Sequence, residues 1–418
     1  MIKKALTFQL VFFFLFSASS QDVRYAREVL NKLASQSFKG RGYVKYGDKK
    51  AAAYLADQFE KKGVKPFDST YFQNYNFPIN TFPGKLAVKI DGQKLVPGQD
   101  YVISSSNSTL RGEYPLIYLP DSIDDGEKLK RFLDRTTAAG SFLVSTNSFK
   151  ALYGTTVPGV LGFVVLTEKT PFWHVSKAAV VESTFWLKIQ KTNLKGNAEK
   201  IYVNAENEYL INYPTQNVIA VVEGKVKPDR YVVFTAHYDH LGKMGRQTYF
   251  PGANDNASGT AMLMDLARYY AQPGNQPDYS ILFMAFSGEE SGLHGSKYYV
   301  EHPLFMLEAI RLLINLDMVG TGSEGITVVN GIAYKELHDK MMEINERDNL
   351  LSNIKARGEA CNSDHCPFYD KGVKSIFIYT MGQEHTAYHT IYDSPENFPF
   401  TAYDGLFKLL TTYVSQIE

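Results

Sequence analysis

The sequence predicts an α/β fold in which a mixed, mainly parallel central sheet is flanked by helices, with an inserted β-rich lobe. Two continuously apolar runs, residues 231–236 and 281–286, flank a helical segment. Such runs are typical of parallel strands that are buried on both faces. Between residues 81 and 205, short β-rich runs and turn residues replace the alternation of strands and helices. We therefore expect one α/β domain interrupted by a lobe.

The chain of 418 residues begins with the pattern of a secretory signal peptide, predicted over residues 1–20. Lys3 and Lys4 precede an apolar run over residues 5–16, and small residues follow. The run is short and contains Gln9, which disfavours a permanent membrane span. We expect an exported mature chain, periplasmic or extracellular, without a membrane-spanning segment.

The remaining chain is predicted to have three parts. Residues 21–80 form an N-terminal helical part of the main domain, with helices near 23–33 and 51–62 and irregular structure after them. Residues 81–205 form the β-rich lobe, which contains one helix near 126–135. Residues 206–418 contain the alternating strands and helices and complete the main domain.

Charge composition excludes one class of partner. Lysine plus arginine and aspartate plus glutamate both number 44, so the formal net charge is zero. Nucleic-acid binding usually requires an excess of positive charge. We therefore predict no nucleic-acid partner, and the oligomeric state is left open.

Acidic and histidine side chains follow the predicted strands of the second half, at the points where the strands end. In open α/β sheets, ligands bind outside the carboxyl ends of the strands. Two histidines and three carboxylates suit zinc, and they suffice for two ions that share one carboxylate. Three carboxylates in one cleft also require dications to offset their charge. The candidate residues are His237, Asp239, Asp255, Glu289, Glu290, Asp317, His389 and Asp393.

Some of these residues are predicted to assist the ligands. Because Glu289 and Glu290 are adjacent on a turn, one can bind metal while the other faces the bound water as general base. Asp239 is well placed to accept the second ring N–H of His237. Asp393 could accept the corresponding proton of a second ligand histidine, or cap the turn that follows.

Two other segments are candidates either for the site or for packing. Cys361 and Cys366 could form a disulfide in an exported protein, or they could be two buried thiols. Asp364 and His365 lie between them and either line the cleft or have a structural role. His174, which follows a tryptophan in the lobe, is interpreted as a packed histidine.

Several motifs occur together in this chain: AHYDHLG, GANDNASGTA, FSGEESGLHGS, INLDMVG, SDHCPF and YHTIYD. From about residue 217 to the C-terminus, the sequence resembles the co-catalytic di-zinc aminopeptidases. Relatives of that family include glutamate carboxypeptidase II, the transferrin-receptor ectodomain and glutaminyl cyclase. Where such relatives have an extra lobe, it is often protease-associated and β-rich, and residues 81–205 are similar to it in composition alone.

The resemblance implies a role for each motif residue. It implies that His237, Asp255 and Asp317 hold one zinc ion, and that Asp255, Glu290 and His389 hold a second. It implies that Glu289 is the general base, that Asp239 supports His237, and that the peptide bond from Asp255 to Asn256 is cis.

The predicted function is therefore zinc-dependent hydrolysis of N-terminal peptide bonds, with peptides or protein N-termini as substrates. Water activated by two metal ions would attack the scissile carbonyl, and Glu289 would act as general base. A carboxypeptidase or a glutaminyl cyclase-like enzyme of the same fold is an alternative. A binding protein without catalytic activity is a further alternative, but none of the expected ligands or the base is missing.

Overall fold

The structure is a computed structural model that describes residues 21–146, 157–194 and 198–417. The predicted signal peptide lies outside the described residues. Among the described helices, none combines the length and the apolar character that crossing a membrane would require.

The helices and strands alternate with several long loops. The helices are α1 (Val23–Leu33), α2 (Gly47–Lys61), α3 (Gly126–Leu133), α4 (Gly259–Tyr270), α5 (His294–Glu301), α6 (Lys335–Asp348), α7 (His365–Asp370) and α8 (Tyr403–Ser415). The strands are β1 (Lys65–Pro66), β2 (Phe72–Thr81), β3 (Leu86–Ile90), β4 (Gln93–Lys94), β5 (Tyr101–Ile103), β6 (Leu110–Tyr118), β7 (Phe142–Ser145), β8 (Gly162–Thr167), β9 (Phe185–Gln190), β10 (Lys200–Ala205), β11 (Glu208–Val222), β12 (Lys227–His237), β13 (Lys243–Met244), β14 (Thr248–Tyr249), β15 (Tyr279–Phe286), β16 (Ile310–Leu316), β17 (Ile326–Val329), β18 (Ile354–Ala356) and β19 (Ser375–Thr380).

The main sheet has the strand order β1-β11-β15-β12-β16-β19-β17-β18, and β2 pairs with β11. Its four central strands, β15, β12, β16 and β19, are parallel to one another. Strands β11 and β17 flank them in antiparallel orientation. The prediction of a mixed sheet with a parallel centre is therefore confirmed.

Both faces of the main sheet are covered by helices, which explains its continuously apolar strands. Every residue of β15 is buried. Alternate side chains such as Phe283 pack with α1, α2, α4 and α8 on one face. The intervening side chains, such as Met284, pack with Tyr299 of α5 and Phe368 of α7 on the other face.

The lobe is a separate sheet with the order β4-β3-β10-β6-β7-β8-β9-β5. A long antiparallel pair, β2 with β11, leads from the main sheet towards it. The lobe core continues into the main domain, since Trp173 of the lobe packs against Phe250 with ring centroids 5.0 Å apart. The main domain and the lobe therefore share an apolar interface.

The prediction of irregular structure after the second helix is wrong, because residues 72–81 form β2. Strand β2 contains several polar residues, so its sequence lacks the regular apolar pattern that predicts a strand. The strand forms because its backbone pairs with β11. Position 206 lies between the end of β10 at Ala205 and the start of β11 at Glu208, and the boundaries of the lobe remain a prediction. The segment between the two cysteines also differs from the expected loop, because α7 begins there at His365.

Candidate metal centre

The candidate metal ligands lie at the carboxyl ends of three neighbouring parallel strands. His237 is the last residue of β12, and Asp317 directly follows β16. Glu289 and Glu290 follow the end of β15. Because β12 pairs with both β15 and β16 in parallel, these side chains meet at one edge of the sheet.

One group of potential ligands surrounds the Nε2 atom of His237. This atom lies 3.4 Å from Oδ1 of Asp255 and 3.4 Å from Oδ1 of Asp317. All three side chains are buried. No described residue donates a hydrogen bond to Oδ1 of Asp317, so a buried anionic oxygen points into the group without a proton to satisfy it.

A second group meets at the other carboxylate oxygen of Asp255. Nε2 of His389 lies 2.9 Å from Oδ2 of Asp255 and 3.2 Å from Oε2 of Glu290. Nδ1 of His240 lies 2.6 Å from Oε1 of Glu290. The ligand atoms of His240, Asp255 and Glu290 also lie close enough to one another to hold an ion. Asp255 thus faces both groups, one with each oxygen.

The donor set fits two zinc-type cations. It combines imidazole nitrogens with carboxylate oxygens, which zinc accepts. Burial works to lower the pKa of His237, yet Asp317 and Glu289 raise it well above its ordinary value. The group therefore attracts positive charge, and divalent ions would supply that charge without protonating the histidines.

Asp255 is held by contacts from distant parts of the chain. The peptide bond from Asp255 to Asn256 is cis, as predicted. The guanidinium of Arg41 is fully buried and donates to the backbone carbonyls of Asp255 and Gly252, among others. At Gly252, φ is 61°, and a Cβ atom would lie 2.3 Å from the carbonyl oxygen of Asp255, so only glycine fits there.

Asp393 supports the loop that carries Asp255, a role that neither of its two sequence interpretations included. Its carboxylate accepts the backbone N–H groups of Asn254 at 2.8 Å and Asp255 at 3.0 Å. Oδ1 also lies 2.7 Å from Nε2 of His385. Asp393 therefore does not serve as the partner of His389, because its oxygens are directed at the loop that carries Asp255.

Glu289 lies beside the two groups without belonging to either. It is half-buried, and its backbone N–H donates to Oδ1 of Asp239 at 3.3 Å. Burial raises its pKa well above the ordinary value; His237 opposes this, and Asp364 adds to it. Glu290, in contrast, is directed at His389 and His240. The contacts of Glu290 with the two histidines have no counterpart among the described contacts of Glu289.

Asp239 is fully buried next to His237. Its Oδ1 lies 3.6 Å from Nδ1 of His237, but its own backbone carbonyl is nearer to that nitrogen, at 3.2 Å. The hydroxyl of Tyr43 donates to Oδ2 at 2.8 Å. Both the carboxylate and the carbonyl of Asp239 are thus close enough to orient His237.

The loop between the cysteines approaches the site at two of its residues. Cys361 and Cys366 form a disulfide, as the spacing suggested. Ser363 donates to Oδ2 of Asp317 at 2.8 Å and fixes that ligand. Asp364 is buried and accepts a 2.5 Å hydrogen bond from Ser296, and burial raises its pKa to about 7.

His365 turns away from the centre, unlike its neighbours. Its Nε2 lies 2.8 Å from the carbonyl oxygen of Ala360, and its ring packs against Phe377. Of the two alternatives for His365, these contacts favour the structural role within its own loop and α7.

His174 is not merely packed, and its interpretation from sequence is wrong. Its Nδ1 lies 2.9 Å from Nδ1 of His389, the nitrogen on the far side of that ring from Asp255. The adjacent backbone N–H of Trp173 donates to the carbonyl oxygen of His389 at 3.0 Å. The lobe therefore contacts a candidate ligand directly.

The family model described as "Peptidase family M28" matches residues 217–414, the stretch that carries all of these candidate ligands. The similarity to this peptidase family is therefore confined to the region that carries the candidate ligands. The remainder of the chain, which includes Arg41 and the lobe with His174, lies outside the match.

Curated proteins are similar to part of this chain. Aminopeptidase YwaD of Bacillus subtilis is 33% identical over 194 residues, which cover 44% of this chain and 41% of that protein. The glutamate carboxypeptidase 2 homolog of Caenorhabditis elegans is 29% identical over 48% of this chain and 29% of its own length. The chain thus spans less than half the length of these curated relatives.

The fold of the whole chain also has solved counterparts. The structure of BSAP, a zinc aminopeptidase from Bacillus subtilis, superposes with a TM-score of 0.73 and covers 94% of each chain. The sequence identity is 21%, so this likeness concerns the fold. The similarity includes the lobe, which the M28 match does not reach.

Four residues at the candidate metal centre escaped sequence reasoning. His240 stands in the same AHYDHLG motif as His237, so its type and position were a usable signal. Ser363 stands next to a candidate residue, and only its contact with Asp317 reveals its role. Arg41 and His174 lie far from the motifs, and their contacts depend on how distant segments pack.

Proposed function

We propose that the chain is an exported, zinc-dependent exopeptidase that hydrolyses N-terminal peptide bonds. The observation that carries this proposal is the carboxylate of Asp255, whose two oxygens face two separate groups of ligands. Beside them lies Glu289, a carboxylate that belongs to neither group. A shared carboxylate next to a free one suits a two-metal hydrolase.

The proposed ligands follow from the contacts. His237, Asp255 and Asp317 would hold one zinc ion, and Asp255, Glu290 and His389 would hold the other. When bound, the ions would acidify a water molecule and polarise the scissile carbonyl. His240 would orient Glu290 through the oxygen that does not face His389.

The proton transfers are assigned to Glu289. Its carboxylate takes a proton from the attacking water and passes it to the nitrogen of the departing amine. Burial favours the protonated form of this side chain, so the carboxyl group can hold the proton between the two transfers. Asp239 holds the backbone of Glu289 and orients His237.

We also propose roles for the regions outside the M28 match. We propose that residues 21–80 and 206–418 form the catalytic domain and that residues 81–205 form a protease-associated-like lobe. Export is proposed from the pattern of residues 1–20 and from the disulfide between Cys361 and Cys366, since disulfides persist in oxidising compartments.

The second candidate function is an exopeptidase that acts from the other end of the peptide. The similarity to the glutamate carboxypeptidase 2 homolog favours cleavage at the carboxyl end of a peptide as the alternative. A glutaminyl cyclase-like activity of the same fold is a further alternative. The short distances among the proposed ligands, with Glu289 beside them, are the argument against a binding protein without catalysis.

The test is a panel of short peptides with free or blocked ends, together with the metal content of the purified mature chain. We expect cleavage only where the α-amine is free, and two zinc ions per chain. Asp255→Ala should lose both metal and activity, because it removes the carboxylate that faces both groups.

Each alternative predicts another result. If the chain holds two zinc ions but cleaves only peptides that have a free carboxyl end, the exopeptidase acts from the carboxyl end instead. Release of ammonia from N-terminal glutamine without peptide cleavage would indicate a cyclase. Absence of both stoichiometric metal and turnover would reject the catalytic proposal.

A further inference from the structure

The lobe reaches the candidate metal centre through the segment between β8 and β9. His174 lies on this segment, 215 positions before His389 in the sequence. The two imidazole rings make an edge contact with centroids 4.7 Å apart, and their Nδ1 atoms are separated by 2.9 Å. This is a hydrogen-bond distance between two nitrogens.

The segment that carries His174 is fixed on both sides. Trp173 is buried, and its indole Nε1 donates to the carbonyl oxygen of Ile103 in β5 at 2.8 Å. Its backbone N–H donates to the carbonyl oxygen of His389, and its ring packs on Phe250 of the main domain. The position of His174 is therefore set by the lobe and by the main domain together.

The protons at the two rings can be assigned from the contacts of His389. Its Nε2 faces Asp255 and Glu290, so Nε2 is the nitrogen that can bind a metal ion. A neutral metal-binding histidine carries its proton on the other ring nitrogen and donates it to an acceptor. Here that nitrogen is Nδ1, and the atom opposite it is Nδ1 of His174. His174 must then be neutral, with its own proton on Nε2.

No carboxylate competes for this role among the described contacts of the ring. Asp393, the candidate from sequence, is occupied by two backbone N–H groups and by His385. The ring of His389 is also stacked against Tyr388, with centroids 3.8 Å apart, which restricts its plane but supplies no acceptor at Nδ1. His174 is thus the described hydrogen-bond partner of that nitrogen.

We propose that His174 is a positioning residue for the second metal site: it accepts the Nδ1 proton of His389 and fixes the ring that presents Nε2 to the ion. The lobe thereby contributes to metal retention without supplying a ligand. This inference rests on the proposed zinc site. Loss of a partner that orients a metal ligand typically weakens metal binding or activity by about 10- to 100-fold.

Three variants of the full mature chain test the proposal. His174→Leu removes the acceptor. His174→Asn keeps an acceptor, because the amide Oδ1 replaces Nδ1 at a similar distance from the backbone. Ser176→Ala changes an exposed position two residues away on the same segment and serves as the control. Each chain is loaded with zinc and dialysed against graded concentrations of a chelator, and the retained zinc is measured by elemental analysis.

We expect His174→Leu to lose one of its two zinc ions at a chelator concentration about 10- to 100-fold lower than the wild type requires. The other ion should be retained as in the wild type, because the ligands around His237 do not contact His174. His174→Asn should recover most of the difference, and Ser176→Ala should behave as the wild type. In peptide assays with zinc in the buffer, kcat should fall in His174→Leu while KM changes little.

Other outcomes are equally informative. If folded His174→Leu holds both ions as tightly as the wild type, or if His174→Asn is as defective as His174→Leu, the positioning role is rejected. If the wild type itself never retains two zinc ions, the proposed metal site fails, and the inference fails with it. Circular dichroism on each variant ensures that metal loss is not caused by unfolding.

Discussion

The two sides of the candidate metal centre are built in different ways. The candidate ligands come from residues 237–389. His237 and Asp317 lie at the ends of central strands of the main sheet, and Glu290 follows another central strand within four positions. The residues that hold these ligands from behind come from elsewhere, as Arg41, Tyr43 and His174 show. The ligands are placed by strand register, whereas their supports are placed by the packing of remote segments.

This difference predicts separate consequences for mutation. A ligand or base at a strand end can be changed without disturbing the sheet, because its side chain points into the cleft. Arg41 and Tyr43 are buried among several partners, so the loss of either affects the stability of the chain as well as the site. His174 is exposed, and its loss should affect mainly the site. The four predictions below test this separation, from the largest expected effect to the smallest.

Glu289→Gln should remove activity while leaving the fold and the metal content intact. The amide cannot accept the water proton, so we expect kcat to fall by about 10²- to 10⁴-fold. Steady-state kinetics and elemental analysis measure the two effects. The adjacent Glu290→Gln is the matched comparison, because Glu290 contacts His389 and should lose metal. Equal metal loss in both variants would contradict the separate roles of the two glutamates.

Arg41→Met should unfold the chain more easily, because five backbone carbonyls lose their donor. These belong to Leu33, Tyr238, Pro251, Gly252 and Asp255. Burial lowers the pKa of Arg41 to about 10, so it is still charged at neutral pH. Each buried carbonyl left without a donor costs about 1–3 kcal/mol, so even if relaxation leaves only two of them unpaired, the free energy of unfolding should fall by roughly 2–6 kcal/mol.

Denaturant unfolding of the metal-free chain measures this loss. Arg24→Met makes the same chemical change at an exposed position of α1 and should have little effect. If Arg41→Met were as stable as Arg24→Met, the buried guanidinium would not be needed to hold the loop of Asp255. The residues that support the ligands would then contribute less to stability than the comparison of the two sides of the centre implies.

How far the site could be predicted from sequence follows from the same comparison. His237, Glu290 and Asp317 could be assigned because an apolar run marks each strand, and parallel pairing brings the strand ends together. Strand β2 could not be predicted, since its polar residues pair with β11 only after the chain folds. The role of His174 depends on a contact over 215 positions, which no local pattern of apolar and polar residues encodes.

Asp48 lies where the main domain meets the strand pair that leads to the lobe, and it should make stability depend on pH. It is buried and accepts hydrogen bonds from Tyr213 at 2.7 Å and Thr215 at 2.8 Å, both in β11. Burial raises its pKa from 3.8 to about 6, and these hydrogen bonds oppose the shift only in part.

A raised pKa means that the folded chain binds the proton more tightly than the unfolded chain does. The resulting stabilisation is complete below the unfolded pKa and is lost as the pH rises through about 6. The stability of the wild type relative to Asp48→Asn should therefore fall by roughly 2–3 kcal/mol between pH 3.5 and about 7. Asp57→Asn is the control, because the ion pair of exposed Asp57 with Lys61 lowers the pKa of Asp57. A flat difference between wild type and Asp48→Asn would contradict the assignment.

The disulfide should have the smallest effect of the four, because it closes a loop of only a few residues. Its stabilisation by restriction of the unfolded chain amounts to about 2 kcal/mol for such a loop. Replacing Cys361 and Cys366 by serine, or reducing the wild type, should lower stability by this amount and leave the main sheet folded. The loop also carries Ser363, which donates to Asp317. Zinc retention should therefore fall in the reduced chain and in Ser363→Ala alike; weaker retention only in Ser363→Ala would show that the hydrogen bond persists without the disulfide.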